Sequence, residues 1–181
     1  MTNFIVCYPQ LSARNRQWID RVRRNNDPQA EAIAPHVTLV FGFAEPERES
    51  LEHHLRSRAD AQAPIAATFS ALECHKGVRE EAYYAYLMPE RCRVALTALY
   101  DQLHRGVLAE ERIGAPLYVP HITLARSRSR AAIETLIASL TLPERGIAAV
   151  LPALTWVAAD DGTIRDLAEF PFAGETKARH R

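Results

Sequence analysis

Apolar residues along this chain follow two spacings, one typical of strands and one typical of helices. The run FIVCYP at 4–9 is short and continuous, which predicts a buried strand. Ser12 is placed to cap a helix after it, and Trp18, Ile19 and Val22 fall on one face of that helix. The chain is therefore expected to open with a strand and a helix that share a core.

The rest of the first half adds a second strand, a second helix and a hairpin. The stretch PHVTLVFGF at 35–43 alternates as a strand does, and a mostly charged helix is predicted from Pro46 to about Ala59. Residues 65–89 predict two strands that are joined by the loop HKGVRE at 75–80.

The second half repeats this order of elements. A helical stripe comes first, and it consists of Leu96, Leu99, Leu103 and Val107. The strand PHITLAR follows at 120–126. A helix that Ser127 or Ser129 could cap is predicted next, and its apolar side consists of Ile133, Leu136, Ile137 and Leu140. A closing hairpin is predicted to turn at 160–162, where the sequence is Asp-Asp-Gly.

The two halves indicate an internal duplication, with approximate repeats at 1–90 and 91–173 and a frayed polar tail at 174–181. The sequence therefore predicts a single α+β domain with two pseudo-symmetric lobes of antiparallel sheet, outer helices and a central cleft.

The two duplicated strands share the frame Pro-His-apolar-Thr-Leu. Because side chains alternate along a strand, His36 and Thr38 are expected on one face, as are His121 and Thr123 in the second copy. The opposite face of the first strand is expected to lie under the helices, and it presents Val37, Leu39, Phe41 and Phe43. If the lobes face each other, both polar pairs meet in one cleft.

The composition limits the partners and the compartment. Lysine plus arginine and aspartate plus glutamate number 22 each, so the chain has no overall basic field for long duplex nucleic acid. The cysteines Cys7, Cys74 and Cys92 show no CxxC spacing, which favours a reducing compartment. No signal peptide and no membrane-length apolar run is recognised. We expect a cytoplasmic monomer that does not contact a membrane.

Two imidazoles and two hydroxyls suit a small anion with several oxygens, and phosphate is the obvious candidate. Histidine titrates near neutrality, so one ring can be neutral and the other protonated. A neutral histidine can deprotonate water while a protonated one supplies a proton to the leaving oxygen. The threonine hydroxyls would steady the non-bridging oxygens. These groups suit the in-line hydrolysis of a phosphodiester, and that reaction would need neither a metal nor a cofactor.

The paired motifs, in two similar halves, resemble the 2H phosphoesterase superfamily and, within it, the 2'-5' RNA ligase-like (LigT-like) cyclic phosphodiesterases. The resemblance implies metal-independent opening of a 2',3'-cyclic phosphate, on a nucleotide or an RNA 3' end, to leave a 2'-phosphate. Some relatives act on ADP-ribose cyclic phosphate or on oligonucleotide linkages, and some rejoin RNA ends weakly in reverse.

The resemblance also implies roles for individual residues. His36, Thr38, His121 and Thr123 match the family's catalytic motifs. We assign His121 as the base for water and His36 as the acid for the leaving oxygen, although reversal of the reaction exchanges these roles.

Four further residues are candidates for substrate binding. Phe41 stands at the end of the first motif strand, and Tyr84 and Tyr86 share one strand face, where they could stack on a base or simply pack. Arg126 matches an arginine that often follows the second motif. Its position in the alternation is that of Leu124, so it reaches the cleft only where the strand ends or bulges.

Two other functions stay open at this point. One is a phosphate- or RNA-binding module without turnover, and the other is a metal-dependent hydrolase, for which each motif supplies just one good ligand. Substrate choice is expected to depend on the loops at 75–80 and 109–118. Trp156 is predicted to be core, and no chemistry is assigned to the remaining histidines, His53, His54, His75, His104 and His180.

Overall fold

The computed structural model of the protein describes residues 1–44, 47–77, 80–112 and 118–174. Within these ranges the strands are β1 (Thr2–Cys7), β2 (Gln10–Leu11), β3 (Val37–Phe43), β4 (Ile65–Lys76), β5 (Tyr83–Pro89), β6 (Ile122–Ser127), β7 (Ile147–Leu151), β8 (Ala153–Asp160) and β9 (Thr163–Pro171). The helices are α1 (Ala13–Asn26), α2 (Arg48–Asp60), α3 (Arg93–Leu103) and α4 (Arg130–Ser139), with a short 3-10 helix at Gly106–Glu111.

Some sequence predictions lie outside the described residues. These are the helix start at Pro46, the centres of the loops at 75–80 and 109–118, and the tail beyond Gly174. In the part of the chain that is described, no helix is long and apolar enough to cross a membrane.

The strands form two antiparallel sheets, as the sequence predicted for an α+β fold. One sheet has four strands in the order β3-β1-β8-β9, and the other has five in the order β2-β7-β4-β5-β6. Each sheet therefore combines the histidine strand of one half with the hairpin of the other half. The same order of elements occurs twice, once from Thr2 and again from Tyr83. In each case it is a strand, a helix, the histidine strand, a second helix and a further strand. The division into repeats at residues 90 and 91 stays a prediction.

The helices follow the same exchange between halves. Helix α1, from the first half, packs on β6, and helix α3, from the second half, packs on β3. Each of these helices therefore covers the histidine strand of the other half. Ser12 and Ser129 cap α1 and α4, because their hydroxyls accept the amides of Asn15 and Ala132 at 3.3 and 3.2 Å. Trp156 is fully buried, as predicted, and its indole nitrogen donates to the amide oxygen of Asn3 at 2.9 Å.

The predicted stripe from Leu96 to Val107 is correct only over its first three positions. Leu96, Leu99 and Leu103 are fully buried, whereas Val107 is 42% exposed. The helix ends at Leu103, and Val107 belongs to the 3-10 helix, whose different pitch turns it away from the core.

The prediction that alternation places Phe41 in the core is wrong. Val40 is buried with Val37 and Leu39, while Phe41 is partly exposed. The register between β1 and β3 shifts twice, between Asn3 and Ile5 and between Ile5 and Val6, and at both places β3 carries an extra residue. Each bulge reverses the alternation after it, which a strict period of two cannot anticipate.

The second hairpin turns where the sequence predicted. Strand β8 ends at Asp160 and β9 begins at Thr163, so Asp161 and Gly162 form a two-residue loop. Their φ angles are 45° and 80°, and this left-handed backbone suits the hairpin turns that match the twist of the strands.

Candidate active site

Each site histidine stands one residue before its strand and makes the same hydrogen bond. His36 precedes β3, and its Nδ1 donates to the carbonyl of Ala34 at 2.8 Å. His121 precedes β6, and its Nδ1 donates to the carbonyl of Val119 at 2.7 Å. Because a carbonyl can only accept, these bonds place the proton on Nδ1 and leave Nε2 as the titrating atom.

The charges near the two rings differ. Burial, followed by the positive charges of His36 and His75, lowers the pKa of His121 to about 4. Burial also lowers the pKa of His36, but the carboxylates of Asp27 and Asp166 oppose this shift. The charge of Arg23 adds to the lowering of the His36 pKa, so the two carboxylates offset the effects of burial and of Arg23 only in part. The two histidines act on each other electrostatically, and of the two only His36 has carboxylates that favour its protonated form.

The threonines of both motifs are partly exposed beside the histidines, as the alternation predicted. Thr38 lies opposite Val6 in the register of β1 and β3, and Thr123 lies opposite Tyr86 in the register of β5 and β6. In each sheet, the threonine thus lies two residues after the histidine in the sequence, and both residues are partly exposed.

One side chain links the two motifs directly. The hydroxyl of Tyr118 donates to the backbone carbonyl of Thr38 at 2.9 Å. Tyr118 itself stands three residues before His121 and stacks on Tyr100, with ring centroids 4.2 Å apart. Burial raises the pKa of Tyr118, which keeps its hydroxyl protonated and able to donate. Sequence reasoning did not identify this residue.

Aromatic side chains of β4 and β5 cover His121. The Tyr86 ring stacks on it with centroids 3.4 Å apart and planes 13° apart, and Tyr84 lies 5.7 Å from Tyr86 on the same face. His75 stacks on the other side of Tyr86 at 4.8 Å, and its Nε2 contacts Glu73 at 2.8 Å. Burial and the charge of Glu80 raise the pKa of Tyr86 to about 12.

The sequence placed His75 in a hairpin loop, and this placement was wrong. Strand β4 continues to Lys76, so His75 is still paired with Tyr84 in the sheet. The charge of His75 acts on His121 and its ring extends the stack. Extending the alternation of the hairpin to its tip would have placed His75 beside the tyrosines.

A bulge decides the position of Arg126. Ala125 pairs with Ala85 but Thr123 pairs with Tyr86, so β6 has one extra residue at Leu124. The alternation reverses there, and Arg126 lies opposite Tyr84, on the face of the tyrosines. Its guanidinium forms an ion pair with Glu80, which also accepts the hydroxyl of Tyr84.

A buried ion pair holds the segment that leads into His36. Arg23 and Asp27 have side chains that are 3% and 4% exposed, with 2.8 Å between Nη2 and Oδ2. Arg23 Nη1 also donates to the carbonyl of Ile33 at 2.9 Å. These bonds fix the backbone next to Ala34, which accepts the Nδ1 proton of His36.

Phe41 belongs to neither hydrophobic cluster of the protein and is partly exposed on β3. Its contact with a substrate stays a prediction. Within the described residues, histidine, cysteine and carboxylate side chains form no group of three or more that could hold a metal ion.

Two antiparallel sheets that share one hydrophobic core, each with a histidine and a threonine on its histidine strand, are the features of a two-lobed, two-histidine phosphoesterase fold. The sequence model of the 2'-5' RNA ligase superfamily matches residues 9–160. The chain belongs to this superfamily, the 2H phosphoesterases.

Individual relatives agree with this assignment. A Bacillus cytotoxicus protein that carries the name of a phosphoesterase is 29% identical over 130 residues, which is 70% of each chain. Escherichia coli LigT superimposes with a TM-score of 0.60 at 21% identity, over 94% of this chain and 96% of that one. Kluyveromyces marxianus Usb1 gives a TM-score of 0.62 at 14% identity, over 94% and 97%.

Proposed function

We propose that this protein is a metal-independent phosphodiesterase that hydrolyses a 2',3'-cyclic phosphate, on a nucleotide or an RNA 3' end, to a 2'-phosphate. The observation that carries the proposal is the matched geometry of His36 and His121. Each ring has Nδ1 tied to a backbone carbonyl and Nε2 left for the substrate, and each histidine is followed two residues later by a partly exposed threonine.

The unequal charges support one assignment of roles. His121, whose pKa is about 4, is neutral over most of the pH range and accepts a proton from the attacking water at Nε2. The water oxygen bonds to phosphorus as the bond from phosphorus to O3' breaks. His36, protonated at Nε2, gives its proton to O3'. Thr38 and Thr123 donate to the non-bridging oxygens as negative charge grows on them.

The surroundings of the histidines and the ligands of the relatives support this substrate class. LigT has been solved with 3'-AMP, and Usb1 with uridine monophosphate. In this chain, Tyr84 and Tyr86 offer ring faces to a base, and Arg126 offers a cation to a phosphate. Phe41 completes the predicted set. Cys7, Cys74 and Cys92 are free thiols, which supports the proposed cytoplasmic location.

The test is hydrolysis of the four nucleoside 2',3'-cyclic monophosphates, a cyclic-phosphate-ended RNA and ADP-ribose cyclic phosphate, each with EDTA present. We expect turnover of at least one of them to a 2'-phosphate. His36→Ala and His121→Ala should each lower kcat about 10²- to 10⁴-fold, the usual contribution of a general acid or base. His53→Ala, on the exposed side of α2, is the control.

Normal turnover by either single histidine variant would contradict the proposal. The other reading, a nucleotide-binding module without turnover, predicts that the wild type binds 2'-phosphate products tightly and hydrolyses none of the substrates. Loss of activity in EDTA that added divalent metal restores would favour a metal-dependent hydrolase instead. Size-exclusion chromatography with light scattering tests the proposed monomer.

A further inference from the structure

A cavity of about 310 Å³ lies beside His36, and it is lined by Tyr8, Ala32, Ile33, Ala34, Ile164 and Asp166. Two contacts place it next to the site. The carbonyl of Ala34 accepts the Nδ1 proton of His36 at 2.8 Å, and the Tyr8 ring lies edge-on to the imidazole with centroids 6.3 Å apart. The volume is at the small end of the range for ligand pockets and is enough for one base.

The side chains that line the cavity are apolar except for Tyr8, which carries a hydroxyl, and Asp166, which is solvent-exposed. Tyr8, Ile33 and Ile164 belong to a small hydrophobic cluster. Asp166 lines the cavity as well, and its Oδ1 accepts the hydroxyl of Tyr8 at 2.8 Å. Burial, followed by the contact with Asp166, raises the pKa of Tyr8, so this hydroxyl keeps its proton. Among the residues that the structure describes, Oδ2 of Asp166 has no hydrogen-bond or ion-pair partner.

This combination selects a ligand by its chemistry. A carboxylate repels phosphate, so the cavity suits a neutral, flat group that can donate hydrogen bonds. Guanine presents two adjacent donors, N1–H and the N2 amino group, to a carboxylate. Adenine and cytosine place a ring acceptor next to their amino group, and uracil has its one N–H between two carbonyls. Those edges therefore match the carboxylate less well.

We propose that the cavity is a nucleobase subsite that prefers guanine, with Asp166 accepting hydrogen bonds from N1–H and the N2 amino group. The inference rests on the proposed function, in which His36 protonates the leaving oxygen, so that the nucleoside with this oxygen lies on the His36 side. A cyclic mononucleotide has one base, and this subsite takes it, so Tyr84 and Tyr86, on the His121 side in the other sheet, are left for the base of a neighbouring nucleotide in an RNA substrate. Asp166 is then the residue that discriminates between bases.

The test compares kcat/KM for guanosine and uridine 2',3'-cyclic monophosphate in the wild type, in Asp166→Asn and in Asp161→Asn. Asp161 is an exposed residue of the β8–β9 turn, so its variant makes the same change of charge away from the cavity. A carboxylate that reads a base edge is expected to give the wild type a preference for guanosine of at least about fivefold. In Asp166→Asn the ratio of the guanosine to the uridine kcat/KM should fall to about one. In Asp161→Asn this ratio should remain at the wild-type value.

The ratio of kcat/KM for the two substrates is the decisive quantity. Asp166 also acts on the pKa of His36, so its substitution can change both rate constants together without changing their ratio. Equal use of both substrates by the wild type, or a guanosine preference that Asp166→Asn retains, would overturn the inference. If no cyclic substrate is hydrolysed, the proposed function fails. Calorimetric binding of guanosine and uridine 2'-monophosphates then tests the subsite by itself, and equal or absent binding of both refutes it.

Discussion

His36 and His121 have the same backbone hydrogen bond but different charged neighbours. Burial and the charge of Arg23 lower the pKa of His36, and the carboxylates of Asp27 and Asp166 oppose them, whereas the two charges that act on His121 are both positive. A general acid and a general base need opposite protonation states at one pH, and groups with different surroundings can hold them. Under the proposed function, this difference favours His121 as the base and His36 as the acid.

This assignment of the acid and base roles predicts an acidic pH optimum. The rate kcat/KM should rise as pH increases through the pKa of His121 at about 4, because the base must lose its proton. It should fall again as pH passes the pKa of His36, which lies below the ordinary 6.5, because the acid must keep its proton. A bell between these limits, measured with a cyclic mononucleotide, is the expected profile. A profile that is still rising above pH 7 would contradict these roles.

His75 is expected to tune the acidic limb of that bell. Its positive charge lowers the pKa of His121, so His75→Gln should raise that pKa and move the acidic limb to higher pH, with the other limb unchanged. His53→Gln makes the same substitution at an exposed position of α2 and should leave both limbs in place. A parallel shift of both limbs would indicate a general structural effect.

Tyr118 connects the segment that leads into β6 with the backbone of β3. It holds the two motifs together through one hydrogen bond, from its hydroxyl to the carbonyl of Thr38. A hydrogen bond of this kind contributes about 0.5–1.5 kcal/mol to stability. Its larger effect should be on the separation of the two catalytic groups, since small misplacements are costly in rate.

Tyr118→Phe removes only that hydroxyl, and we expect kcat to fall about 10- to 100-fold with little change in KM. Tyr83→Phe is the matched control, since Tyr83 lies on the core-facing side of β5. Steady-state kinetics and thermal unfolding measure the two effects separately. If kcat drops in proportion to the folded fraction alone, Tyr118 has no positioning role.

The sequence predicted the elements better than their irregularities. The capped helices and both histidine strands could be predicted, because capping residues and alternation act locally. The bulges in β3 and β6 could not, since they depend on how β1 and β5 pair with those strands. This is why Phe41 was assigned to the core and why the face of Arg126 was left open. Tyr118 and Asp166 act across distant parts of the chain, which no local pattern records.

At the scale of the whole molecule, the two halves depend on each other. Each sheet takes its histidine strand from one half and a hairpin from the other, and α1 and α3 also cross over. We therefore expect that fragments 1–90 and 91–173, expressed separately, show no cooperative thermal unfolding. Circular dichroism would measure this, with the whole chain as control. A fragment that melts cooperatively would show that one half folds alone.

Strand β1 lies in the interior of its sheet, between β3 and β8, and Thr2 pairs with Ala159. Since β1 is synthesised well before β8, one edge of β1 stays unpaired until β8 has been made. An unpaired strand edge is a template for pairing with other chains. Until β8 pairs with it, the open edge of β1 can therefore pair with another copy of the chain. We expect the yield of refolded protein to fall as the protein concentration rises.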